Sequence, residues 1–178
     1  MSQRVIDFWF NELEPRQWWI KDDLLDQQIS ERFLSLHEQA RRCELFGWRQ
    51  SAAGTLAEIL LLDQFSRHIY RDRAMAFAQD PQALVLAQYA IEREVDKSLS
   101  TAQRSFLYLP FMHSESPVIQ QESVRLYTEL GDQSSLDFAH RHKDIIDRFG
   151  RYPHRNEILG RVSTPEELSF LRQPGSGF

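Results

Sequence analysis

A chain of 178 residues that is 42% hydrophobic, 12% aromatic and 26% charged has the apolar content for a real core, which excludes an intrinsically disordered protein. A formal net charge of −5 argues against a general nucleic-acid binder, and the single cysteine, Cys43, excludes an intramolecular disulfide and a cysteine-rich zinc site. The opening Val5-Ile6-Asp7-Phe8-Trp9-Phe10 is too short and interrupted for the core of a signal peptide, and later apolar runs fall far below the ~20 residues of a membrane span, so a cytoplasmic protein without membrane contact is expected.

Apolar residues recur at helical spacing, and strand alternation is nearly absent. A first short helix is predicted over Ser2 to Asn11, with Pro15 and the pair Trp18-Trp19 in the connection after it. A long helix follows from Asp22 to Arg42, with Leu25, Ile29, Phe33 and Leu36 on its inner stripe. Gly47 and Gly54 bracket a connection. The third helix, Thr55 to Phe65, is apolar on nearly every face, which predicts a central position. Asp80-Pro81 reads as an N-cap with proline at the first helical position, opening a fourth helix through Ile91. Ser100-Thr101 open a fifth, which Pro110 is expected to stop. A sixth runs from Ser116-Pro117 to Gly131, and a seventh from Ser134 to Phe149. The capping box Thr164-Pro165-Glu166-Glu167 opens the last helix through Leu171. With no linker and no change of composition, one all-α domain over residues 1–178 is expected, its roughly eight helices packed as successive antiparallel pairs.

Three polar features stand out. Asp63 shares the stripe of Leu56, Ile59 and Leu60 on the most apolar helix, so it is expected to be buried and paired, with Arg67 four residues on as the nearest partner. The segment from His140 to Arg161 carries six basic side chains against three acidic ones inside an acidic chain. Its arginines (Arg141, Arg148, Arg151, Arg155 and Arg161) suit bidentate grips on carboxylate or phosphate. The plainer reading is that they compensate a helix dipole and pair locally, as Asp144–Arg148 and Asp147–Arg151. Histidines form the third feature. His142 lies on the stripe of Phe138, Ile145 and Phe149 and should point inward, while His113 and Glu115 follow Pro110, and His154 sits in the arginine-rich loop. Their spacing matches no metal motif, so neither a metal nor a cofactor is expected. There is no GxSxG, P-loop, GxGxxG or HExxH. The tryptophans Trp9, Trp18, Trp19 and Trp48 are expected mainly in the core and between helices.

Several segments together resemble the family catalogued as domain of unknown function 924. They are Phe8-Trp9-Phe10, Leu61-Leu62-Asp63-Gln64-Phe65, Phe106-Leu107-Tyr108-Leu109-Pro110, His113-Ser114-Glu115 and, longest, Arg148-Phe149-Gly150-Arg151-Tyr152-Pro153-His154-Arg155-Asn156. Leu159-Gly160-Arg161 and Ser163 to Glu167 follow suit, and His68 departs from a pattern that more often has asparagine there. The resemblance implies a tetratricopeptide-like stack of helix pairs and brings no established activity. It also implies that Asp63, Gln64, Arg67, His113, Glu115, Arg148, Arg151, His154, Arg155 and Asn156 are the shared polar positions.

Two functions are expected from these residues. One is a binding module for an anionic small molecule or peptide, with Arg67, Arg148, Arg151 and Arg155 as the grip, Asp63 and Glu115 orienting them, and Gln64, His142 and Asn156 beside them. The other is a cofactor-independent hydrolase or transferase acting on an anionic metabolite, with His113 or His154 as acid or base and Asp63 or Glu115 orienting it. A third reading makes the cluster a buried network that specifies packing. The first two require that the end of the third helix and the turn around Asn156 meet in space.

Overall fold

Helical periodicity carries through to the fold: the computed structural model describes residues 1–177, and among these the chain is all-α with no strand. The helices are α1 (Ser2–Asp7), α2 (Asp23–Arg41), α3 (Ala52–Leu60), α4 (Ser66–Ile69), α5 (Asp80–Glu92), α6 (Thr101–Met112), α7 (Pro117–Leu130), α8 (Gln133–Phe149) and α9 (Pro165–Leu171). No helix among the described residues is long and apolar enough to cross a membrane.

α3 is central, as its all-round hydrophobicity predicts: Gly54 to Leu60 are buried, and α1, α5 and α6 pack on it. It begins earlier than expected, because Ser51 accepts a hydrogen bond from the Gly54 N–H and so caps the helix at Ala52. Gly54 therefore lies inside the helix, where the Trp48 carbonyl approaches so closely that a Cβ would sit 2.1 Å from it. The aromatic side chains Phe8, Trp9, Phe33 and Phe65 meet between the turn after α1, the middle of α2 and the turn after α3, with Phe106 of α6 against Trp9. Trp9 is fully buried, and Trp18 and Trp48 pack against the core from its margin. Trp19 departs from expectation: it is 63% exposed and stacks flat on Phe106.

Two wide turns interrupt the helices. Phe8–Glu12 and Leu61–Phe65 are π-helical, each fitting an additional residue into a turn. In the first, Leu13 N–H donates to Phe8 O at 3.2 Å, and the indole N–H of Trp18 takes the Trp9 carbonyl at 2.8 Å. The second joins α3 to α4 without a break. The Ser66 hydroxyl donates to Leu62 O at 2.6 Å there, and a His37 ring nitrogen lies 2.8 Å from the same hydroxyl.

Two boundaries differ from the sequence reading. Pro110 does not stop α6; it sits in the last turn, and the helix runs on to Met112 with His113 N–H donating to Leu109 O at 2.9 Å. So late in the helix, the missing proline N–H removes one bond that the packing around Phe111 and Met112 outweighs. Asp80 is not an N-cap: it is the first helical residue of α5, and its carboxylate is used elsewhere. The short links between α6, α7 and α8 fold these helices back on one another, and α7 packs on both neighbours.

Candidate functional site

The π-turn holds Asp63 fully buried at the centre of the fold. Its Oδ1 accepts from His113 Nδ1 at 2.6 Å, and its Oδ2 accepts from Gln64 Nε2 at 2.6 Å. Arg67, one turn on in α4, donates from Nη1 to the Asp63 carbonyl at 2.6 Å, and the same nitrogen stands 3.4 Å from Asp63 Oδ1. The expected Asp63–Arg67 pair thus exists, but its shortest contact is to the main chain. The guanidinium makes its two-pronged contact with Asp80 instead, at 3.0 and 3.1 Å. Asp80 also accepts from Arg155 Nη1 at 3.2 Å. This shared carboxylate ties the end of the α3–α4 rod to the loop after α8, segments 75 residues apart between Asp80 and Arg155.

His113 is the residue that ends α6, and that end is fixed by its neighbours. Gln120 Nε2 donates to Met112 O at 2.9 Å and to Ser114 O at 2.6 Å. The Tyr152 hydroxyl donates to Met112 O at 2.5 Å. Gly150, in the left-handed region at φ +69°, closes α8 and turns the chain into Tyr152. Arg155 then lies within a short helical turn, with its guanidinium carbon 4.6 Å from the centre of the Phe77 ring and 4.7 Å from that of Tyr152. It is 7% exposed, and its Nε is buried without a hydrogen-bond partner.

His142, from the middle of α8, completes the inner wall. It donates from Nδ1 to Phe138 O at 2.8 Å, and its ring centre lies 6.4 Å from that of His113 and 5.6 Å from that of Tyr152. His154 stacks obliquely on Tyr152 at 5.6 Å.

The predicted site residues divide into three groups. Asp63, Gln64, Arg67, His113, His142, His154 and Arg155 converge with Asp80. Glu115, Asn156 and Arg161 form a brace beside them: Arg161 grips Glu115 at 2.7 and 2.9 Å and donates to Asn156 Oδ1 at 2.9 Å, while Tyr152 N–H donates to Glu115 at 2.8 Å. Glu115 therefore orients the loop and Arg161, and it contacts none of the arginines at Asp80. Arg148 and Arg151 point away toward α9, Arg148 pairing with Glu166 at 2.9 Å and Arg151 with Glu167 at 2.6 and 2.8 Å. The local pairs Asp144–Arg148 and Asp147–Arg151 do not form; Asp147 is taken by Lys143. The capping box of α9 supplies two carboxylates that outcompete them.

Asp80 and Phe77 were not singled out by sequence. The Asp-Pro step disguised Asp80 as a cap, and no local signal marks an aromatic ring as a rest for an arginine.

Burial governs the titrations. It opposes ionisation of Asp63, yet the charge of Arg67 and the contact with His113 draw that carboxyl below its ordinary range. Burial, and then the charge of Arg67, lower His113. Burial, with smaller repulsion from neighbouring cationic groups, takes His142 to about 3 and His154 to about 4. The three imidazoles are accordingly neutral at pH 7, and His113 holds its proton on Nδ1 facing the Asp63 carboxylate. Two guanidinium groups then balance two carboxylates. Every oxygen of these carboxylates is already engaged, whereas Arg155 makes one hydrogen bond among the described residues and its Nε is buried without a partner. The surplus hydrogen-bonding capacity is on the donor side.

Solvent reaches this cluster at Arg67 and His113, whose side chains are 20% and 13% exposed. Two shallow surface depressions lie elsewhere, one of about 470 Å³ at Phe46, Arg49 and Tyr89, the other of about 620 Å³ at Ile91, Phe111 and Val118. Among the described residues no group of three or more His, Cys, Asp or Glu is arranged to hold a metal ion.

The profile of a family described as bacterial protein of unknown function (DUF924) matches residues 5–175. A solved structure of a protein of unknown function from Agrobacterium tumefaciens is similar over 96% of each chain, with 42% identity and a TM-score of 0.92. No curated protein matches the chain.

Proposed function

From the premise that this chain belongs to the DUF924 family, we propose that it is a cytoplasmic, tetratricopeptide-like binding module whose ligand is a small molecule bearing a carboxylate or phosphate, held at Arg155 and Arg67. The observation that carries the reading is the Arg155 guanidinium. It is buried against two aromatic rings, bonded once at 3.2 Å to a carboxylate it shares, and its Nε donor is unpaired. A buried unpaired donor costs about 1–3 kcal/mol, and a ligand acceptor removes that cost. The Nε–Nη2 edge of arginine matches the two oxygens of a carboxylate or phosphate. Gln64 and Asp63 hold His113 and Arg67 in place beside it.

Thermal unfolding in the presence of inorganic phosphate, phosphorylated metabolites, dicarboxylates and acidic peptides tests this. A ligand at a hundred times its Kd adds about 2.7 kcal/mol, a rise of about 5–10 °C in Tm for a chain of this length. Arg155→Ala should abolish the rise, and Arg155→Lys, which keeps the charge but not the fork, should leave only part of it. If no anion stabilises the wild type more than Arg155→Ala, the reading fails.

A further inference from the structure

We propose that His113 is a general base and that the chain hydrolyses a phosphomonoester whose phosphate is held at Arg155; this rests on the anion-site reading above. The geometry starts from Asp63. One carboxylate oxygen receives His113 Nδ1–H at 2.6 Å and the other is fixed by Gln64, so neither the carboxylate nor the imidazole is free to rotate. Binding through Nδ1 commits the lone pair to Nε2. That nitrogen makes no hydrogen bond among the described residues, and it belongs to a side chain that keeps 13% of its surface. An orienting carboxylate behind the imidazole and an unengaged Nε2 in front are the arrangement of a base ready to take a proton.

What lies beside the base selects the substrate. The oxygen that holds His113 is also 3.4 Å from Arg67 Nη1, and Arg67 shares Asp80 with Arg155. A carboxylate bound at these guanidinium groups would be inert. A phosphomonoester carries its electrophilic atom within the anion itself, so gripping its non-bridging oxygens brings phosphorus beside the base. In the step, Nε2 takes a proton from water as the water oxygen bonds to phosphorus. The phosphorus–ester oxygen bond breaks on the opposite side with its electron pair on the departing oxygen, which takes a proton from a solvent water, while Nε2 returns its own proton to solvent. The products are the alcohol and inorganic phosphate. The arginines stabilise the charge on the phosphoryl oxygens throughout.

The charged and titratable groups that face His113 are Asp63, Arg67, Asp80, His142 and His154. Burial and Arg67 outweigh the two carboxylates, so the imidazole stays a free base to below the ordinary histidine range.

The test is phosphate release by the full chain from p-nitrophenyl phosphate, glycerol phosphate, sugar phosphates and nucleoside monophosphates. Turnover of at least one ester is expected. His113→Gln should lower kcat by about 10²–10⁴-fold while inorganic phosphate still raises Tm as in the wild type. Asp63→Asn, a change at a positioning residue, should lower kcat and move the acid limb of the pH–rate profile to lower pH, since the carboxylate raises the proton affinity of His113. A merely structural Asp63 would leave that limb in place. If the wild type hydrolyses none of these esters while phosphate still stabilises it in an Arg155-dependent way, hydrolysis is refuted and the anion site stands. Equal turnover by His113→Gln and wild type also refutes it. If phosphate has no Arg155-dependent effect, hydrolysis is refuted, and if no carboxylate has one either, the anion site falls with it.

Discussion

Replacing Asp80 by asparagine removes one negative charge from between two arginines and keeps the side-chain volume. The carboxylate receives Arg67 at 3.0 and 3.1 Å and Arg155 at 3.2 Å, with side-chain exposures of 13% for Asp80, 20% for Arg67 and 8% for Arg155. Breaking a buried ion pair from one side costs about 3–5 kcal/mol, because the partner stays charged and buried. The lower end applies here. Arg67 keeps the Asp63 carbonyl at 2.6 Å and the Asp63 carboxylate at 3.4 Å, and the asparagine oxygen can still accept one bond. A loss of about 3 kcal/mol is expected, or about 6–12 °C in Tm. Part of it, about 0.3–1 kcal/mol, belongs to the charge of Asp80 at the start of α5, and a double-mutant cycle removes that part. Urea unfolding of wild type, Asp80→Asn, Arg155→Met and the double variant is the assay. The double variant should lose at least ~1 kcal/mol less than the sum of the singles, with an unchanged dependence on urea. An Asp80→Asn protein within ~0.5 kcal/mol of wild type, or strict additivity, would refute the view that Asp80 neutralises the arginine pair.

The Arg151–Glu167 pair makes stability fall in acid. Its hydrogen bonds from Arg151 hold the Glu167 carboxyl at about 2, below its usual 4.5, so the contribution is complete above about pH 4.5 and disappears as pH falls toward 2. Urea midpoints measured between pH 6 and pH 2.5 should drop through that window, and Arg151→Met should flatten the drop; an unchanged slope in the variant would assign the acid loss to other carboxylates. Gly54→Ala should cost about 1–3 kcal/mol, because its Cβ would lie 2.1 Å from the Trp48 carbonyl, which is main chain and must shift. Gly47→Ala, with nothing within 4 Å, is the matched control, and equal denaturation midpoints for the two variants would contradict the packing described.

The helices were legible because their signals are local. Thr164 forms its capping box where the pattern placed it, Ser100 caps the helix it was read as opening, Gly131 and Gly150 end their helices at positive φ, and the apolar α3 is buried from Gly54 to Leu60. Asp63 was recognisable for the same reason: a carboxylate on an apolar stripe must be buried and paired, and it is. What failed was competition between local and distant partners. Asp80 looked like a cap, but two arginines outbid the helix N-terminus for its oxygens. Arg148 and Arg151 had carboxylates four residues before them, yet the start of α9 supplied others in better geometry. Pairings across 13 to 75 residues depend on how helices dock, which helical spacing does not encode.

The wide turn at Leu61–Phe65 gives the rod from Ala52 to Ile69 a reading frame of its own. One surplus residue offsets everything beyond it by about 100° around the axis relative to a regular helix. Loss of a single codon within that turn would restore ordinary helical winding and spare most of the apolar surface of α3. Arg67 and His68 would still face their partners, because the residue lost and the roughly 100° regained by ordinary winding cancel. The surplus residue is thus absorbed inside the turn, and the side chains whose directions depend on it are those within it, Asp63 and Gln64 among them.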